Sequence, residues 1–301
     1  MHHTSRAIGI ALGFALTSVS PLWITAQDHD NQRHRPYKFI DLGTLGGPVS
    51  YESLNGEGNQ ILNDSGVIVA SADTSIPDPN APDFCFNFHP DGCFITHATR
   101  WKHGIVTDLG ALPGVNSSAA AAINARGWAA GASQNGAIDP VTGGPAIHAV
   151  LWKEDEIIDL GTLGGSESLG LDISDSDQVI GMSTIDDSLD PFADLLSHFV
   201  GVPFPSPTHP FIWKHGEMID LGTLGGPDAF VASGCVNQSL AVGSSLTSAT
   251  PEPDTGFPPL HPFVFERGKM IDLGSLGGLS VPPNVEITAG RSSDNLFWRE
   301  I

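Results

Sequence analysis

Basic residues are scarce in this chain: 13 Lys and Arg stand against 34 Asp and Glu, a formal charge of −21 at neutral pH. A surface of that sign repels phosphate backbones and anionic headgroups, which argues against nucleic acid and against membrane surfaces as partners. Long apolar runs are almost missing as well. The one clear run extends from Ala7 to about Val19, short of the ~20 residues that a membrane-crossing helix needs. No nucleophile elbow, phosphate loop or compact metal motif occurs, and each absence moves weight away from an enzyme. There are only three cysteines, and the first is Cys85, so no lipid-attachment cysteine follows the apolar run.

That run, preceded by Arg6 and followed by Ile24-Thr25-Ala26, reads as a signal peptide over residues 1–26. Residues 27–36 read as a polar linker and residues 37–301 as the folded domain. Export suits the cysteines. Cys85 and Cys93 lie in one loop, where an oxidising compartment favours a local bridge. Cys235 sits in an apolar strand context and reads as a buried, inert thiol.

Glycine and proline, by contrast, are abundant, at 35 and 23 residues. They accompany a hydrophobic content of 40%, too high for acidity to signal disorder. The combination indicates an all-β chain with many turns. Internal repetition then decides the architecture. Asp-Leu-Gly-Thr-Leu-Gly-Gly occurs at Asp41–Gly47, Asp159–Gly165 and Asp220–Gly226, with variants at Asp108–Gly114 and Asp272–Gly278. The aspartates are 67, 51, 61 and 52 residues apart.

Upstream of four of them stand His97-Ala-Thr-Arg-Trp101, His148-Ala-Val-Leu-Trp152, His209-Pro-Phe-Ile-Trp213 and His261-Pro-Phe-Val-Phe265. A third element reads Leu62-Asn-x-x-Gly66, Ile123-Asn-x-x-Gly127 and Ile173-Ser-x-x-Asp177, with a shortened copy at Val236-Asn237. Each unit therefore holds four short strands: A ends at the Asn, B follows the tight turn, C runs from His to Trp, and D ends at Asp-Leu-Gly. Four-stranded units of this length suit propeller blades. The expected fold is all-β, a single β-propeller of about five four-stranded blades. The last blade is degenerate, and the N-terminal strand Tyr37–Leu42 closes it beside Leu296-Phe297-Trp298.

These three motifs together resemble the HAF repeat family of extracellular bacterial proteins, over residues 37–298. The resemblance implies export from a bacterium, secreted or periplasmic, with tandem repeats and a propeller-like fold. It transfers no catalytic or ligand residue. The chain departs from the family pattern at Pro210 and Pro262 in place of Ala, at Asp294 in place of His, and at Pro113 within the second Gly-rich loop.

The residues common to all copies read as structural. His97, His148, His209 and His261 sit on separate blades, too far apart to share a metal, and are expected to hydrogen-bond within their own blade. Trp101, Trp152 and Trp213 read as core. Asp41, Asp108, Asp159, Asp220 and Asp272 read as turn caps, since chemistry rarely needs five copies of one carboxylate.

Differences between copies carry more functional content. Two residues after each Gly-rich turn stand Val49, Asn116, Glu167, Asp228 and Ser280. In a propeller they lie at the mouth of the central channel, on a solvated loop or in a ligand-binding ring of Asn116, Glu167 and Asp228. The B–C insertions, Ala72–Thr96, Gln134–Ile147, Thr184–Thr208 and Leu246–Leu260, are expected on that same face. One holds a short helix from Asp190, with Phe192, Leu195, Leu196 and Phe199 as its apolar stripe. The Asp-Pro pairs at Asp78, Asp139 and Asp190 read as turns first and as calcium ligands second. No cofactor is required by this pattern, calcium being the one weighed, and a monomer is expected.

The leading expectation is an exported, non-catalytic binding propeller that presents its B–C loops to a protein or glycan. A glycoside hydrolase or lyase using channel-mouth carboxylates and a structural cell-surface repeat are the alternatives.

Overall fold

The computed structural model describes residues 39–52, 60–86, 92–114, 116–193, 204–231, 240–253 and 256–275. Residues 1–40 form one compact unit, of which Phe39 and Ile40 are described, both exposed. Residues 41–301 form the other. The residues read as signal peptide and linker, Cys235, Leu195, Leu196, Phe199 and the C-terminal segment expected beside the closing strand lie outside the described residues.

The second unit is all-β. Its 16 described strands form four antiparallel sheets of four, each a meander in which sequence neighbours pair. Sheet 1 contains β1 (Gly46–Tyr51), β2 (Ile68–Pro77), β3 (Phe94–Lys102) and β4 (Ile105–Gly110). Sheet 2 contains β5 (Ser118–Ile123), β6 (Ala129–Ile138), β7 (Pro145–Lys153) and β8 (Glu156–Asp159). Sheet 3 contains β9 (Ser168–Ile173), β10 (Val179–Thr184), β11 (Thr208–Lys214) and β12 (Glu217–Asp220). Sheet 4 contains β13 (Ala229–Val231), β14 (Leu240–Leu246), β15 (Leu260–Glu266) and β16 (Lys269–Asp272).

In every sheet the four strands are A, B, C and D in turn. The C–D hairpins turn through pairs such as His103-Gly104 and His215-Gly216, both residues at positive φ. That is the twist-matched geometry of a two-residue hairpin.

At the amino-terminal end the strand expected at Tyr37–Leu42 is not seen among the described residues, and Leu296-Phe297-Trp298, beside which it was expected, lies outside them. Of Tyr37–Leu42, residues 39–42 are described and carry no strand; the first strand begins at Gly46, beyond the Gly-rich turn. The reason is pairing. Every later Asp-Leu-Gly lies beside the His-bearing strand that precedes it, as Asp159 faces Val150 and Asp220 faces Phe211. Asp41 has no such strand before it among the described residues.

The core lies between sheets. Val69, Ala98 and Val150 belong to a cluster joining sheets 1 and 2 with Trp152. Leu151, Ile173 and Phe211 join sheets 2 and 3, and Leu171, Ile180, Phe230 and Phe263 join sheets 3 and 4. Strand A is sandwiched and buried at every residue of β5 and β9, so its sequence shows no polar alternation. Ser-Ala-Ala-Ala-Ala-Ile in β5 is the run expected of a strand covered on both faces, and its small side chains let neighbouring sheets approach closely.

Close approach also explains a glycine in the middle of strand B. A Cβ on Gly181 would overlap both the Leu169 carbonyl oxygen and the Phe211 ring, and Gly243 meets Phe230 and Phe263 in the same way. Only glycine fits there.

Candidate binding face and its buried acids

The histidines and aspartates pair within each sheet. Nδ1 of His97, His148, His209 and His261 lies 2.9–3.0 Å from both carboxyl oxygens of Asp108, Asp159, Asp220 and Asp272 respectively. Each of these aspartates also accepts the N–H of the glycine two residues on, at 2.7–2.8 Å. Asp41 makes the same turn with Gly43 at 2.8 Å. Burial opposes ionisation of Asp108, Asp159, Asp220 and Asp272. The imidazole and the glycine N–H outweigh it and hold each carboxyl below its usual value. These groups brace strand C against the end of strand D and face no common centre.

The tryptophans serve the packing. Trp152 is buried and donates its Nε1–H to the Gly110 carbonyl of the preceding sheet at 3.3 Å. Trp213 packs against the core between sheets 2 and 3. Trp101, half-buried, stands at the equivalent end of β3, opposite Ile68 and Val106.

At the opposite end of these strands lies the loop face. The B–C loops and the D–A turns meet there: Gly165 N–H donates to Thr184 O at 3.1 Å, and Gly226 N–H to Leu246 O at 2.9 Å. Each B–C loop contains an acid followed by proline, namely Asp78-Pro79, Asp139-Pro140, Asp190-Pro191 and Glu252-Pro253, all four acids buried. Their N–H groups make the same bond across the loop, to Cys93 O, Gly144 O, Pro205 O and Phe257 O at 2.7–3.0 Å. In the first three the carboxyl caps its own turn, to Asn80, Val141 and Phe192 N–H at 2.8–3.0 Å. These are Asx turns. The fourth member was not singled out in the sequence because Glu replaces Asp; the shared Pro was its signal. Asp190 opens such a turn as far as Ala193, whose N–H reaches Asp190 O. In the first loop Cys85 and Cys93 form a disulfide, Cα to Cα 5.7 Å.

Asn116, Glu167 and Asp228 occupy this face, but they do not form a solvent-facing ring. All three are buried, Asp228 completely. Nor are they equivalent. Gln134, Thr184 and Leu246 N–H bond to Ser117, Glu167 and Asp228 O, each at 2.9 Å, so Ser117 is the counterpart of Glu167 and Asp228. Pro113 adds one residue to the second Gly-rich turn and displaces Asn116 by one position. Asn116 instead closes its own turn through Nδ2 to Leu112 O and Pro113 O.

Neighbouring acids oppose one another between sheets. Burial first, then the charges of Asp139 and Asp187, push Glu167 up to about 8. Burial pushes Asp228 up to about 7; the Thr208 N–H, 2.8 Å from its Oδ1, works against this, Asp190 adds to it and His209 subtracts. Burial also raises Asp190. Asp139 goes the other way. Burial opposes its charge, but hydrogen bonds from Ser166 and from Val141 and Thr142 prevail.

A further repeated residue escaped the sequence reading. Ser133, Ser183 and Ser245 are wholly buried on strand B. Each accepts an N–H from the preceding Gly-rich turn, Leu112, Leu163 and Leu224, at 2.8–2.9 Å. Each also donates to a backbone carbonyl. Its signal was Gly-x-Ser in three copies. Among the described residues no group of three or more His, Cys, Asp or Glu is arranged to hold a metal ion. Comparison with family models, with curated proteins and with solved structures returns no match, so the site is read from its geometry.

Proposed function

We propose that the chain is an exported, non-catalytic binding module that uses its B–C loops as the contact surface for a protein or glycan. One observation carries this reading: the loop bases are built identically while the tips differ. Every base is an acid–proline turn tied across its loop by the same backbone bond. Beyond these bases the loops vary in length; Phe84 is exposed within the first loop, and Ile76, Ile138 and Leu189 are exposed on the approach to the bases, at the ends of β2 and β6 and just before Asp190. Varied loops on a uniform rigid scaffold are a recurrent form of recognition surface, and exposed apolar side chains in that position favour contact with a partner.

Propeller architecture is part of the same proposal. Each sheet shares its core with the next, and strand A lies against the middle strands of the sheet before it. That relation, repeated around an axis, generates a propeller. The resemblance to HAF repeats agrees with it and with export. A hydrolase using Glu167 and Asp228 is disfavoured, because both carboxyls are buried between sheets.

The test is a glycan-array and pull-down screen with residues 27–301, beside a variant whose four loop tips are replaced by short Gly-Ser turns. Partners captured by the intact chain and lost with the tips support the reading. An identical profile for both proteins sinks it. Small-angle scattering of the same sample distinguishes a closed disc from an open curved stack.

A further inference from the structure

We propose that the cavity between sheets 1 and 2, beside the C–D hairpins, is a binding site for a small zwitterion of the α-amino-acid class. The cavity measures about 140 Å³ and lies at the end of the strands away from the loop face. Register shows why this boundary is open. Arg100 pairs with Val69 on one side and Thr107 on the other. The same place in the next two sheets holds Leu151 with Ile158 and Ile212 with Ile219. Leu151 and Ile158 pack into one core cluster with Trp213 and Met218, and Ile212 into another with Phe265 and Met270. With Arg100 and Thr107 in their place, the counterparts Trp152 and Ile157 line open space instead.

The facing wall departs from the repeat as well. Three C–D hairpins turn through His103-Gly104, His215-Gly216 and Arg267-Gly268, a histidine or arginine followed by glycine, both at positive φ. In sheet 2 the same turn is Glu154-Asp155, exposed at the mouth of the cavity, and Glu156 beside them adds a third carboxylate. Two separate departures from the repeat therefore meet at one cavity. They put a cation on one wall and carboxylates on the other.

Arg100 is half-buried, and among the described residues its guanidinium has neither an ion pair nor a hydrogen bond. Asp108, the acid on its own wall, is taken by His97 and the Gly110 N–H. A guanidinium so placed calls for a planar acceptor, which a carboxylate meets with two parallel bonds. A simple anion is opposed by the acids at the mouth, and a simple cation by Arg100. A molecule that carries both signs a few bonds apart satisfies both walls. Leu109 and Ile157 leave apolar surface for a short aliphatic side chain. At about 140 Å³ the cavity is far smaller than the pockets that hold drug-sized ligands, so one amino acid fits and a peptide does not. The site does not depend on what the loop face binds.

The test is isothermal titration of the full chain with L-valine, beside acetate, isobutylamine and glucose, which carry the carboxylate, the amine and hydroxyls separately. Valine should bind in the millimolar range or tighter. Each of the other probes should bind at least about tenfold more weakly, the usual worth of one charge-assisted contact. R100L, which installs the residue found in sheet 2, should abolish valine binding and raise Tm, because it returns this boundary to the packing of its neighbours. E154H/D155G, which copies the hairpin of sheet 3, should weaken valine by about tenfold and leave acetate no weaker. R100K keeps the charge without the planar fork and should fall between wild type and R100L, which preserves the readout should R100L fold poorly. Replacing the four loop tips should leave valine binding unchanged, so failure here and failure of the loop-face reading are told apart. Absence of valine binding, or an affinity that neither R100L nor R100K moves, overturns the proposal. So does acetate, isobutylamine or glucose binding as tightly as valine, since the cavity would then hold a simple ion or a polyol.

Discussion

His148 Nδ1 meets Asp159 at 2.9 Å and 3.0 Å from its two oxygens, across two adjacent strands of one sheet. The contact recurs in all four described sheets. Because the carboxylate only accepts, Nδ1 carries the hydrogen, and the imidazole pins the Asp-Leu-Gly turn to the middle of its own sheet.

Replacing Asp159 or Asp220 by Ala should destabilise the chain by about 1 kcal/mol each, the usual worth of a half-exposed hydrogen-bonded pair. Urea denaturation checks this. The acid limb has a defined sign. These carboxyls are held below their usual value, so the stability they lend is present above the unfolded aspartate value and lost as pH falls through the folded one. D159A and D220A should flatten acid unfolding below about pH 4. An unchanged acid limb would show the pairs to be idle.

The buried serines should matter more than the half-exposed His–Asp pairs. Ser183→Ala leaves the Leu163 N–H without its 2.8 Å acceptor at a fully buried position, for a cost of about 1–3 kcal/mol. Ser133→Ala and Ser245→Ala should behave alike. Denaturant midpoints that shift less than those of D159A would contradict the ranking.

Two glycines separate crowding from backbone strain. Gly181→Ala drives a methyl into the Leu169 carbonyl and the Phe211 ring, and overpacking of this kind costs roughly 1–3 kcal/mol or more. Gly216→Ala meets no neighbour but sits at φ +86, so its cost is the backbone term alone, about 1–2 kcal/mol. Only the first should be relieved by trimming Phe211 to Leu, which a double-mutant cycle reads directly.

Glu167 gives a pH dependence of the opposite sign. Its carboxyl titrates at about 8, against an ordinary 4.5. The folded state therefore keeps a proton that the unfolded chain has released. Stability from that proton is complete below the ordinary value and declines as pH rises to about 8. E167Q cannot ionise, so its Tm should exceed that of wild type above about pH 8 and approach it near pH 5. Parallel Tm profiles for the two proteins would remove Glu167 as the cause.

How much was legible follows from how local each interaction is. Strand order, the four-strand unit, the in-sheet role of the histidines, the aspartate turn caps and the paired cysteines all rest on residues within a few dozen positions of each other. Their motifs recur, so copies could be read against one another. The buried acids were not legible in the same way. Spacing alone aligned Asn116 with Glu167, and one inserted proline moved it out of register. The serines went unnoticed because Ser is ordinary in turns, and only their depth shows that they bridge three backbone segments.

The sequence by itself determined an all-β chain of repeated four-stranded units, with each histidine bonded inside its own unit and each aspartate capping its turn, because short-range pairing and turn chemistry suffice for that. Tertiary structure alone decided which side chains face the next sheet. Burial of Glu167, Asp190 and Asp228 arises where two sheets and a loop close over them, and a carboxyl's chemistry depends on whether a donor stands opposite. Ser166 stands so to Asp139, and only packing brings the two together.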